Sequence, residues 1–260
     1  MGKYGIRLKW NTIACFEIDF GNTTVLTDPC IGLSPGTDRT ADTVEKADLI
    51  TISHVHWDHV TDLPELQKKF EAPVLVGELS AYPLAKWLDC SPSKVYPVTP
   101  GLKLPFPGVS VESIFGRHVD MNRTFSEIDE RMKTRDFLKN DPALLDFQLL
   151  GSFEYRNYLF TADNGTKVLF YGNEPTEPML SLIRPMRPDV AILQFRKIAI
   201  PEVASFAAEI GCKVLIPHHH DFHMNEEEYE PLLQELGASY RALVPDGKFI
   251  SPRHGEWIEL

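Results

Sequence analysis

Between residues 54 and 59 the chain reads His-Val-His-Trp-Asp-His, directly after the short apolar run Asp48 to Ser53. On a strand, alternate side chains share a face, so His54 and His56 converge on one ion. Where the strand ends, Trp57-Asp58-His59 turns towards a helix opening at Asp62, and Asp58 and His59 face a second ion beside the first. Neutral imidazole and carboxylate suit zinc, one or two ions, with manganese and iron as the other fitting metals. Such a centre needs ligands from elsewhere. His118, after the apolar run Val109 to Phe115, is the natural third ligand of the first ion. His218, His219 and His220 follow the strand-like Lys213 to Pro217, and one of them supplies a further ligand; spacing leaves open which. Asp28 closes the run Thr23 to Asp28, either as a turn cap or by accepting the second ring N–H of a ligand histidine.

Around these residues, period-two runs and turn signals alternate with helical stretches. Tyr4 to Trp10, Ile13 to Asp19 and Thr23 to Asp28 predict an antiparallel meander. Phe153 to Thr161 and Thr166 to Gly172 flank Asp163-Asn164-Gly165, a hairpin signal. Helices are expected from an Asp62 cap onward, over Leu79 to Leu88, Thr176 to Met186 and Pro201 to Ile210, and from Asn225 to a stop at Gly237. The sum is a mixed α/β chain, read as one domain over 1–260. Residues 119–150 are charged and helix-prone, and are expected to form a helical insertion: a lid, a cap over the substrate, or a contact in a homo-oligomer.

Composition excludes several classes. No apolar run exceeds four residues, far short of the roughly 18 a membrane helix needs. The segment MGKYGIRLKW has no hydrophobic leader, so a cytoplasmic protein without a membrane partner is expected. A net charge of −11 disfavours nucleic acid. The four scattered cysteines, Cys30 beside Asp28 among them, read as reduced and mostly buried. The expected partner is a small molecule. Arg117, Arg123, Arg131, Arg135 and the Arg196-Lys197 pair either contact an anionic substrate or are solvated surface charge.

With TDP at 27–29, HVHWDH at 54–59, His118 at a strand end, YGN at 171–173 and IPHHH at 216–220, the chain resembles the metallo-β-lactamase superfamily. It is most similar to the branch containing ascorbate-6-phosphate lactonase. The resemblance implies a four-layer αββα sandwich with the metal site on loops at one edge of the two sheets. It also implies that His54, His56 and His118 hold the first ion, and Asp58, His59 and His219 the second, with His220 as the fallback. One position departs from the pattern. Asn173 stands where the family carries a bridging aspartate, and its neutral carbonyl oxygen is a weak ligand, so the second ion should bind weakly or not at all. Glu174 is a substitute within reach, whereas Asp163 belongs to the hairpin. The implied activity is hydrolysis of an ester, lactone or phosphoester bond in a small, anionic metabolite by a metal-bound hydroxide. Asp58 and His219 would be the catalytic residues, Asp58 holding the second ion or acting as general base. The alternative is a metal-binding sensor or scaffold without efficient hydrolysis, motivated by Asn173.

Overall fold

Alternating apolar residues pair the first strands into the expected meander: β1 (Arg7–Thr12), β2 (Cys15–Asp19) and β3 (Thr24–Thr27). The chain then switches to parallel additions, β4 (Leu49–Thr51), β5 (Val74–Gly77) and β6 (Val95–Val98). The connections carry α1 (Trp57–Val60), α2 (Leu63–Phe70) and α3 (Glu78–Trp87). The second half repeats the scheme. Antiparallel β7 (Lys103–Phe106), β8 (Val109–Gly116), β9 (Tyr155–Ala162) and β10 (Lys167–Tyr171) are followed by parallel β11 (Val190–Gln194), β12 (Val214–His218) and β13 (Lys248–Phe249). Its helices are α4 (Pro142–Phe153), α5 (Glu177–Ile183), α6 (Ile200–Glu209) and α7 (Glu226–Leu243). Finally β14 (Trp257–Glu259) returns to pair with β1.

This computed structural model describes residues 2–34, 37–118, 141–197, 199–222 and 224–260, which form two seven-stranded sheets. Phe16 and Val25 of one sheet meet Phe160, Phe170 and Ile216 of the other in a central core. On one outer face Leu63, Leu66 and Leu84 of α2 and α3 cover Ile50 and Val74. On the opposite face Val203, Phe206 and Leu233 of α6 and α7 cover Leu169 and Leu215. The architecture is therefore the expected four-layer αββα sandwich. Among the described residues no helix is long and apolar enough to cross a membrane.

Three local expectations are corrected. Asp62 does not cap α2 with its side chain; its carboxylate accepts from Ile31 N at 2.5 Å, because that buried donor has the stronger claim. Gly237 does not stop α7. It lies against the ring of Phe249, where a Cβ would stand 2.7 Å from Cδ1, so the glycine serves close packing. Phe153 ends α4 instead of opening a strand. The capping box at Asn225 and Glu228 and the turn at Asn164-Gly165 form as the sequence predicts. Of the 119–150 segment, residues 119–140 lie outside the described residues, and Pro142 onward is helical.

The sheets are tied together immediately below the histidine motif. Tyr158 Oη, on β9, donates to Ile52 O at 2.8 Å, and Arg156 N donates to Ser53 O at 2.7 Å. These bonds fix the exit of β4, from which His54 follows. Removing the buried hydroxyl in Tyr158→Phe takes its donor from Ile52 O and from Leu75 O, 3.3 Å away, and should cost about 1–3 kcal/mol. Urea unfolding should show a lower midpoint with an unchanged m-value; an unaltered midpoint would show that this tie contributes nothing.

Candidate metal centre

The site lies where β3, β4, β8 and β12 end, at the carboxyl edge common to both sheets. There backbone amides run out of ladder partners and side chains fan into one crevice. His54 and His56 leave β4, His118 leaves β8, and their ligand atoms lie within 4.8 Å of one another. Asp58 and His59, on α1, and His219, past the end of β12, form a second group on the same criterion. His219 Nε2 stands 3.4 Å and His59 Nε2 3.8 Å from Asp58 Oδ2. The groups adjoin through the rings of His54 and His59, whose centroids are 4.1 Å apart.

Hydrogen bonds decide which ring nitrogen each histidine offers. Asp28 is completely buried, and its carboxylate accepts from Ser53 N and Ser53 Oγ, both at 2.6 Å. The same carboxylate faces His59 Nδ1 at 2.8 Å. An ionised carboxylate only accepts, so His59 carries its proton on Nδ1 and presents Nε2. The Ser53 hydroxyl proton is committed to Asp28, so its oxygen accepts from His54 Nδ1 at 3.0 Å, and His54 also presents Nε2. His56 Nε2 donates to Gln148 O at 3.0 Å and approaches Ser152 Oγ at 3.1 Å, which frees Nδ1. Gly151 makes that approach possible: a Cβ there would lie 2.5 Å from His56 Cδ2. Tyr155 stacks on His54 with centroids 4.6 Å apart.

Charge follows the same division. Burial, reinforced by neighbouring imidazoles, pushes His54 and His56 well below the ordinary histidine value, so both stay neutral. Burial pushes His59 the same way, but Asp28 and Asp58 overcome it and raise the net value. Burial would raise Asp58, yet His59 and His219 hold it far below the carboxylate range. Neutral, oriented imidazoles in one group and a carboxylate with two imidazoles in the other fit divalent transition ions.

The remaining candidates have partners of their own. The Oδ1 of Asn173 accepts from Asn157 Nδ2 at 2.5 Å and its Nδ2 donates to Arg117 O at 2.9 Å. Glu174 pairs with Arg196 at 2.7 Å instead of reaching in. His218 lies between Phe16 and Phe170 and bonds Tyr171 O, and His220 packs on Trp10. Cys30 is a free, buried thiol, and Trp57 packs on Phe222. Arg117 and Lys197 are exposed, while Arg123, Arg131 and Arg135 fall outside the described residues. Sequence reasoning missed Ser53, Gln148, Ser152 and Tyr155. Of these only Ser53, adjoining the motif, carried a local signal.

The raised value of His59 has a consequence for binding. An ion entering the second group must displace a proton that His59 holds to higher pH, whereas His54 and His56 are already neutral. As pH falls from about 8 to 5, spanning the unperturbed histidine value near 6.5, bound metal should leave the second group first. Metal content after dialysis at each pH should fall in two steps; loss in a single step would contradict this assignment.

A family model described as a beta-lactamase superfamily domain matches residues 7–131. A UPF0173 metal-dependent hydrolase of Thermoplasma volcanium is 30% identical over 113 residues, covering 44% of this chain and 48% of that protein, about half its length. A UPF0173 metal-dependent hydrolase of Geobacillus thermodenitrificans is 27% identical over 260 residues, covering 98% of this chain and 100% of the relative. Among solved structures, Igni18, a metallo hydrolase of the hyperthermophilic archaeon Ignicoccus hospitalis, superposes with a TM-score of 0.69 over 97% of both chains at 16% identity, a likeness of fold.

Proposed function

We propose that the chain is a member of the metallo-β-lactamase superfamily and a metal-dependent hydrolase of a small, anionic metabolite. The observation that carries the reading is the pair of adjoining ligand groups whose ring nitrogens are fixed by Asp28, Ser53 and Gln148. When bound, an ion supplies a Lewis acid that polarises a substrate oxygen and acidifies a water. His54, His56 and His118 would hold the first ion, and Asp58, His59 and His219 the second, with zinc the first metal to test and manganese and iron next.

The chain's own residues do the rest. Asp58 and His219 are half-buried, whereas His59 is buried, so these two are the members of the second group that reach substrate. Asp58, held far below its ordinary value, is a poor proton acceptor near neutrality, which favours its role as ligand over general base. Arg117, exposed beside His118, is the candidate contact for an anionic group. Ester, lactone and phosphoester bonds all suit this arrangement. The sequence resemblance to ascorbate-6-phosphate lactonase puts sugar-phosphate lactones first.

Metal-depleted and metal-reconstituted protein should be compared on lactone, thioester and phosphodiester panels. Hydrolysis should appear only on reconstitution and fall by roughly 100-fold or more in Asp58→Ala, at least the loss that follows removal of a group orienting a ligand. Fully metallated protein inactive on every member would overturn the hydrolase reading.

Asn173 favours a second reading, a metal-binding sensor or scaffold without efficient hydrolysis. In Asn173→Asp the new oxygen would face Arg117 O, a repulsion relieved only by turning towards an ion. If the natural chain is a weakened enzyme, this variant should be less stable without metal, regain stability with it, and turn over faster. Lost activity at full metal loading would assign the asparagine to the working mechanism.

A further inference from the structure

Asp221, two residues beyond His219, is completely buried, and neither ligand group includes it. Its two oxygens accept from Ile13 N at 3.1 and 3.0 Å. Oδ2 also accepts from Ser34 Oγ at 2.6 Å and from His254 Nε2 at 2.9 Å. Three distant segments, the β1–β2 turn, the loop after β3 and the stretch before β14, therefore converge on one carboxylate.

Ile13 passes the constraint on. Its carbonyl accepts from His219 N at 2.8 Å and from Trp10 Nε1 at 3.2 Å. Both residues of this backbone contact have left-handed conformations, with φ of 48° at Ile13 and 65° at His219. A β-branched residue adopts that conformation only where its surroundings impose it. Here they do so from both sides: Asp221 grips the Ile13 amide, and the Ile13 carbonyl grips the His219 amide. His219 is thereby turned out of the line of β12. Its neighbours His218 and His220 stay in the interior, and its own Nε2 reaches Asp58.

We propose that Asp221 is a positioning residue for the second metal group, acting through Ile13 on His219, with Ser34 and His254 holding the carboxylate in place. This rests on the metal-centre reading above. Ser34 and His254 add their donors to the same oxygen, so each contributes a part of the effect.

The test is titration of metal-depleted, full-length protein with Co2+, following visible absorption and competition with a chelator. Wild type should take up two equivalents, the second more weakly than the first; uptake of one equivalent alone overturns the proposal. Asp221→Asn, which turns one acceptor into a donor, should weaken the second equivalent by about 10–100-fold, the usual effect of removing a group that orients a ligand. The first equivalent and its spectrum should be unchanged. His254→Gln, which keeps an N–H donor, should retain more of the second equivalent than His254→Leu. Ser34→Ala, a milder change, serves if Asp221→Asn does not fold; selective loss of the second equivalent again supports the proposal. Wild-type affinity for both equivalents, or parallel loss of both together with thermal stability, overturns it. A wild type that takes up no Co2+ sinks the metal-centre reading itself. Two equivalents in wild type with both retained in Asp221→Asn and Ser34→Ala sinks only the role of Asp221.

Discussion

The carboxylate of Asp28 sits at the hinge between the two ligand groups. Directly it holds the proton on His59 Nδ1, and through the Ser53 hydroxyl it holds the proton on His54 Nδ1. One buried negative charge thereby selects the ring nitrogen presented by one histidine in each group. An unpaired buried carboxylate would be costly, and the Ser53 amide, the Ser53 hydroxyl and His59 together satisfy it. Asp28 has φ of 36°, a left-handed turn that ends β3 and brings the carboxylate under the motif. Loss of that turn would release both rings at once, which is why the strand that carries it matters as much as the motif.

The fold supplies the convergence. Each sheet switches from antiparallel to parallel addition, and the parallel strands end at one edge. Local sequence cannot bring His118 and His219 to His54; the packing of Phe16 and Val25 on Phe160 and Ile216 does so by aligning the two sheets. Tyr158 and Arg156 then fix the vertical position of the motif with bonds to Ile52 and Ser53. The helix α4 closes the other side of His56 with a backbone carbonyl, so the segment following residue 140 orients one ligand.

Much of this was legible because the informative residues are neighbours in the chain. His54, His56, Asp58 and His59 are fixed by strand and turn periodicity, and the hairpin at Asn164-Gly165 and the capping box at Asn225 are equally local. What was not legible depended on contacts between distant backbones. Choosing His219 among three histidines requires its left-handed φ, imposed by Ile13. Gln148 acts through a carbonyl, which every residue has, so its side chain gave no signal. Asp62 looked like a helix cap, but the Ile31 amide competed for the same carboxylate. Gly237 looked like a helix stop, whereas the Phe249 ring required the missing Cβ.

Diffraction from zinc-reconstituted crystals, collected on both sides of the zinc absorption edge, addresses the central claim most directly. The account predicts an anomalous peak about 2.0–2.1 Å from His54 Nε2 and His56 Nδ1, the ordinary zinc–nitrogen distance, with His118 as the third protein ligand. A weaker peak should sit among Asp58, His59 and His219. Zinc density elsewhere with both groups empty, or zinc bound through the other ring nitrogens of His54 and His56, would contradict it.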